Sequence, residues 1–311
     1  MSEAVFNRHI SVLFIAPDNS AFIDLSKTAQ HANIGFTVER NLDAEPSTAA
    51  ITIHNLSKST QEALKAAVEG WTVELVAGYG PPGDPGKLVT EGTAAVIFRG
   101  DVRLVRHRRE PPLLATDIEA DDGGEASKKF VTRHFGKGTT VGTVFRWLTG
   151  QSGLGEGNVG RITEIRKQDG LPDRLENGMN IKGYVMDEIS DLARSRGARI
   201  SSQSGEMIVL EPGEALAGVP VTEINPGTGL IGYPYVDNED ILTLNHRLLP
   251  NVFPGAPVDV TSEFVEGVYV VDRAVYSGSL YGDDFNIEIE GVLAQNQSTG
   301  TSGIMRSAFG L

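Results

Sequence analysis

Apolar and polar residues take turns along much of this chain. Ile34, Phe36 and Val38 alternate with Gly35, Thr37 and Glu39, and Ile51 and Ile53 alternate with Thr52 and His54. Val73, Leu75 and Ala77 repeat the pattern, as do Phe285, Ile287 and Ile289. A period of two puts one face of a strand into a core and the other outward. Further strands are expected at 10–15, 22–25, 94–98, 102–106 and 114–120. One helix interrupts them, opened by a capping box of Ser59 with Glu62. It is striped by Leu64, Ala67 and Val68 and stopped at Gly70. The Pro/Gly stretch 80–86 reads as a long loop. Residues 1–120 therefore predict a strand-rich barrel or sandwich carrying one helix.

The pattern changes near Asp121. Thr140 is placed to cap a helix bearing Val141, Val144, Phe145 and Leu148, with Gly150 as its stop. A second helix is expected over 184–196, with Val185, Ile189, Leu192 and Ala193 inward and Gly197 ending it. A hairpin follows, 198–202 and 207–210, turning at Ser204 and Gly205. Residues 121–220 thus read as a small α+β module, with a Gly-rich loop at 150–160. Strands return over 221–293, at 241–245, 258–262, 267–276 and 285–291, with a turn at 281–284. The fold class expected is mainly β: two β-barrel domains flanking a central α+β insert. Residues 294–311 form a Ser/Thr/Gly/Gln-rich tail, yet it ends with Ile304, Met305, Phe309 and Leu311. Two readings stand for it: a frayed terminus, or a docking peptide that orders on a partner.

Charge and composition exclude several functions. Asp plus Glu number 41 against 27 Lys plus Arg, a net charge of −14. Such a chain is poorly suited to gripping nucleic acid phosphates. The longest apolar runs have five residues, where a spanning helix needs roughly 20. No membrane insertion is expected, and the start MSEAVFNRH does not read as a secretory leader. There are no cysteines, which removes disulfides and thiolate chemistry and fits folding in a reducing cytoplasm.

Motifs for chemistry fail one by one. Residues 155–160 spell G-x-G-x-x-G, but a helix precedes them and no helical stripe is read after them. Residues 136–140 lack the phosphate-loop spacing, because Gly138 separates Lys137 from Thr139. The acidic run Asp117, Glu119, Asp121, Asp122 and Glu125 lacks the Gly and Glu a calcium loop requires. It reads as a solvated strand end. The six histidines show no zinc-ligand spacing, and no GxSxG elbow occurs. No catalytic residue, cofactor or metal is expected. One positive feature remains: Arg99, Arg103, Arg106, His107, Arg108 and Arg109 concentrate basic charge in an acidic chain. This is either a solvated strand end or a contact with a partner's acidic surface, since arginine forks grip carboxylates.

Several stretches share a likeness. Residues 50–57, the helix after them and residues 73–80 resemble the first tube-like domain of tail hub proteins from contractile-tailed bacteriophages. Phe98-Arg99-Gly100-Asp101-Val102 is similar to a strand of that family, and residues 135–140 to the entry of its central module. Residues 228–234, 248–250 and 254–258 resemble its second tube-domain signature. The sequence departs from the family at Tyr233 and in the arginine cluster. The resemblance implies a baseplate hub: a homotrimer, each chain giving two tube-like domains to a ring of six units. Such a ring joins the six-fold tail tube to the three-fold spike. Implied partners are the tail tube protein, the spike protein, the tape-measure protein and other baseplate proteins, with DNA passing through unbound. Partner-binding residues expected on this reading are Arg103, Arg106, Arg108, Arg109, Phe309 and Leu311. The site of action is then the virion tail, assembled in the host cytoplasm. The homologous hub of a phage-tail-like bacteriocin or of a secretion system is a variant of the same reading. Two other classes stay open: a tail-tip cell-wall-degrading enzyme, and a receptor- or carbohydrate-binding tail protein.

Overall fold

A computed structural model describes residues 8–18, 22–25, 33–66, 70–80, 94–110, 113–168 and 173–295. The chain opens with β1 (Arg8–Ile15), β2 (Phe22–Asp24), β3 (Ile34–Asn41) and β4 (Ser47–His54). Helix α1 (Lys58–Ala66) follows, then β5 (Thr72–Tyr79), β6 (Ala95–Glu110) and β7 (Leu113–Asp122). These strands pair antiparallel in the order β3-β4-β7-β6-β5-β1-β2. The alternation expected from sequence is observed: Ile34, Val38, Ile51, Ile53, Val73, Leu75 and Ala77 are buried.

Two local expectations are corrected here. The cap of α1 is Ser57, whose Oγ accepts from the Thr60 amide at 3.2 Å. Ser59 lies inside the first turn, where its oxygen cannot face that amide. Ala67 and Val68 lie outside the described residues, as do 81–86 of the Pro/Gly stretch. The segments 94–98 and 102–106 are one strand, β6. It bends instead of breaking, by bulges near Ile97 and Arg103. Gly100 is required between them because a Cβ there would lie 2.5 Å from the Asp121 carbonyl oxygen.

The central module contains α2 (Gly124–Ser127), β8 (Phe130–Phe135), α3 (Val141–Ser152), α4 (Arg161–Gln168) and β9 (Met179–Tyr184). It continues with α5 (Val185–Arg194) and the hairpin β10 (Arg199–Gln203) and β11 (Glu206–Leu210). Its own core holds Phe135, Val144, Phe145, Leu148, Ile181, Val185, Ile189, Met207 and Val209. Thr140 caps α3 as expected, accepting from the Thr143 amide at 3.2 Å. The helix runs past Gly150 to Gly153, whose φ of 83° supplies the left-handed stop. The sequence reading also missed α4, whose Ile162 and Ile165 are buried. The glycines before it serve a close approach. A Cβ on Gly157 would sit 2.2 Å from the Met207 carbonyl oxygen, and Gly155 exchanges backbone bonds with Gly205 and Met207. The G-x-G-x-x-G stretch is thus spent on packing against a hairpin.

The last group is β12 (Thr222–Ile224), β13 (Leu230–Val236), β14 (Ile241–Arg247), β15 (Pro257–Thr261), β16 (Glu266–Ser279) and β17 (Phe285–Leu293). Strand β16 joins the two groups. Its first part pairs with β15, and Arg273–Ser279 pair with Asn41–Gly35 of β3. The result is one 13-stranded sheet over one core shared by both groups. Phe285 knits them further: its ring meets Phe36 at 6.1 Å and Tyr79 at 5.2 Å, with the Arg8 guanidinium 5.0 Å from its centre. The architecture is mainly β with a small α+β insert. Among the described residues the pairings form an open path, and they close neither group into a barrel.

Candidate interaction surfaces

The arginine cluster lies on β6, and the acidic run lies beside it on β7. Strand pairing brings Asp121, Glu119 and Asp117 past Arg103, Arg106 and Arg108 one diagonal step at a time. Arg103 grips Asp121 with two nitrogens, the second at 2.9 Å. Arg108 Nε lies 2.5 Å from Asp117, while Arg106 reaches Glu119 only at 3.7 Å. Partial burial works to raise the Asp117 pKa. The hydrogen bonds from Arg108 and Thr52, with the charges of Arg108 and Arg106, outweigh it and hold the carboxyl below its ordinary value. Two features read separately in the sequence are thus one cross-strand ladder. The Arg106 and Glu119 side chains remain 60% and 57% exposed, and Arg109 stands exposed near the strand end. Phe309 and Leu311 lie outside the described residues.

The last acid of the run behaves differently. Asp122 is buried and accepts from the Ser204 amide at 2.7 Å, the Gly205 amide at 3.3 Å and the Ser202 hydroxyl at 3.2 Å. It ties β7 to the turn of the β10–β11 hairpin. Burial pushes its pKa up, against the pull of these bonds and of Arg40. The sequence reading, a solvated strand end, is corrected for this residue. A run of acids carries no signal of which one turns inward.

The second surface is at the end of the sheet. Strand β13 pairs only with β14 among the described strands. It exposes Ile231, Tyr233 and Tyr235, and the Tyr233 ring meets exposed Phe264 edge-on at 5.4 Å. The sequence reading singled out Tyr233 alone. The signal for the others was alternation at 231, 233 and 235 and an aromatic in a polar turn.

Chemistry is not concentrated anywhere described. Clefts of about 590, 400 and 380 Å³ lie along the seam between module and sheet. In the largest, Arg199 pairs with Asp272, and Arg273 with Glu39. Among the described residues no group of three or more His, Asp or Glu could hold a metal. His54 meets the Asn33 carbonyl, His107 the Thr116 hydroxyl and the Gln61 carbonyl, His134 Asn180, and buried His246 the Arg247 carbonyl. No described helix is long and apolar enough to cross a membrane.

Comparison with known proteins completes the picture. No curated protein matches the chain. Its fold is similar to the 43 kDa tail protein of prophage MuSo2 from Shewanella oneidensis, at 10% identity and a TM-score of 0.58, covering 91% of this chain and 96% of that one. A tail protein from Neisseria meningitidis gives the same TM-score at 11% identity, with 91% and 96% covered. A chain of the Francisella PdpA–VgrG complex gives 0.52 at 8% identity, covering 97% of this chain and 56% of that one. The model of the family described as baseplate hub gp41 matches residues 10–291. By that match the chain belongs to the baseplate hub gp41 family, structural components of the phage tail.

Proposed function

We propose that three copies of this chain close into a ring that adapts the six-fold tail tube to the three-fold spike. The observation that carries this reading is the fusion of two strand groups in one chain through the antiparallel β3–β16 ladder. Three chains then present six strand groups, one for each unit of the ring. The central module, on its own core, stands outside the shared sheet and is free to face other components.

The ring's partners on this reading are the tail tube protein above, the spike below, the end of the tape-measure protein and neighbouring baseplate proteins. The chain is read as a non-enzyme that works in the virion tail after assembly in the host cytoplasm. Three copies carry 3 × −14, or −42. An acidic lumen lets DNA pass without sticking. Mass measurement in solution, with and without the spike protein, tests the stoichiometry. Three chains of 33.3 kDa give about 100 kDa. A chain that stays monomeric alone and with the spike refutes the reading.

A further inference from the structure

We infer that the aromatic edge on β13 receives the arginine strand β6 of a second copy of this chain. The inference rests on the ring reading and names the contact that closes it. Ile231 is 46% exposed, Tyr233 73%, Tyr235 59% and the adjoining Phe264 68%. Large apolar side chains grouped on a surface mark an interaction site. The rim is acidic: Glu263 and Glu266 flank Phe264, and Asp237, Glu239 and Asp240 follow the strand, all exposed. Residues 231–240 and 261–268 contain no Lys or Arg. Aromatic faces within a ring of carboxylates suit a guanidinium, which stacks on the rings and forks to the acids.

The chain carries that complement itself. Arg106 and Arg109 are exposed on β6, and Leu113 and Leu114 at the start of β7 are 40% and 39% exposed beside them. At 3.7 Å from Glu119, Arg106 is loosely held and can turn to a neighbour. Simple strand addition is disfavoured, because Pro234 has no N–H and a register shift lies between Ile231 and Tyr235. The edge therefore docks through its side chains. Six strands separate β13 from β6 along the sheet. A contact between two different surfaces is head-to-tail, the kind that builds a ring when its rotation closes.

The absence of cysteine makes the test clean. Full-length chains bearing Glu263→Cys are mixed with chains bearing Arg106→Cys and oxidised gently, and a disulfide-linked pair is expected. In parallel, Arg106→Glu with Arg109→Glu should weaken self-association at least tenfold, and so should Glu263→Arg with Glu266→Arg. Combining all four changes in one chain should restore it, and circular dichroism should show each variant folded. A wild-type ring whose mass is untouched by either reversal overturns this interface while the ring reading stands. Cross-linking of Glu263→Cys to a cysteine placed in residues 296–311 of the same chain, and not to the second copy, overturns it as well. A wild-type chain that never associates defeats both.

Discussion

Asp117 and Asp122 sit five positions apart on one strand and are opposite in their electrostatics. Asp117 is held charged by Arg108, and Asp122 is buried among amides and a hydroxyl, with its pKa raised. A carboxyl with a lowered folded pKa adds stability above its ordinary value of 3.8 and loses it as pH falls through the folded value. One with a raised pKa contributes most below 3.8 and loses that contribution as pH rises. Urea unfolding should show it. The deficit of Asp117→Asn relative to wild type, only about 0.5 kcal/mol near neutral pH because the pair is partly exposed, should shrink towards pH 3. The deficit of Asp122→Asn should grow towards pH 3. Parallel pH profiles for the two variants would contradict the assignment. Asp122→Ala strands the Ser204 and Gly205 amides and should cost about 3 kcal/mol near neutral pH, a deficit that also grows towards pH 3.

Elements were legible where their residues alternate against one core. Strands β3, β4, β5 and β17 follow from Ile34 to Val38, Ile51 and Ile53, Val73 to Ala77 and Phe285 to Ile289, since each buries every second side chain. Strand β8 was missed because both its faces are largely open, leaving no alternation to read. Helix α4 was missed because its inward face shows little beyond Ile162 and Ile165. Segments 94–98 and 102–106 were read as two strands because the bulges near Ile97 and Arg103 break the alternation, and the close approach of Gly100 to Asp121 leaves no mark in one sequence. The candidate surfaces were half legible: the arginines stood out, but their partner acids on β7 were seen only as a separate run. Two substitutions test the element-scale account. Thr140→Ala removes the α3 cap and should cost about 1 kcal/mol. Gly157→Ala forces a Cβ against Met207 and should cost about 2 kcal/mol or more. Thermal melts check both, and a neutral Gly157→Ala would contradict the packing role given to the Gly-rich loop.

At the scale of the molecule, one sheet and one core run through both strand groups, so the groups cannot move independently without breaking the β3–β16 ladder. That rigidity suits the adaptor role proposed above. The described chain ends anchored, with Gln295 bonded to Pro212 and Gly213. Removing residues 296–311 should therefore leave the fold and the self-association intact while weakening spike binding, measured by pull-down. Unchanged spike binding would rule out the tail as a docking segment. The central claim is that two strand groups per chain let three copies stand in for six. Electron cryomicroscopy of the assembled ring tests it most directly. The expected image is a three-fold particle whose inner wall shows six similar β units at near-60° steps. An inner wall with three units, or six that do not superpose, would contradict it.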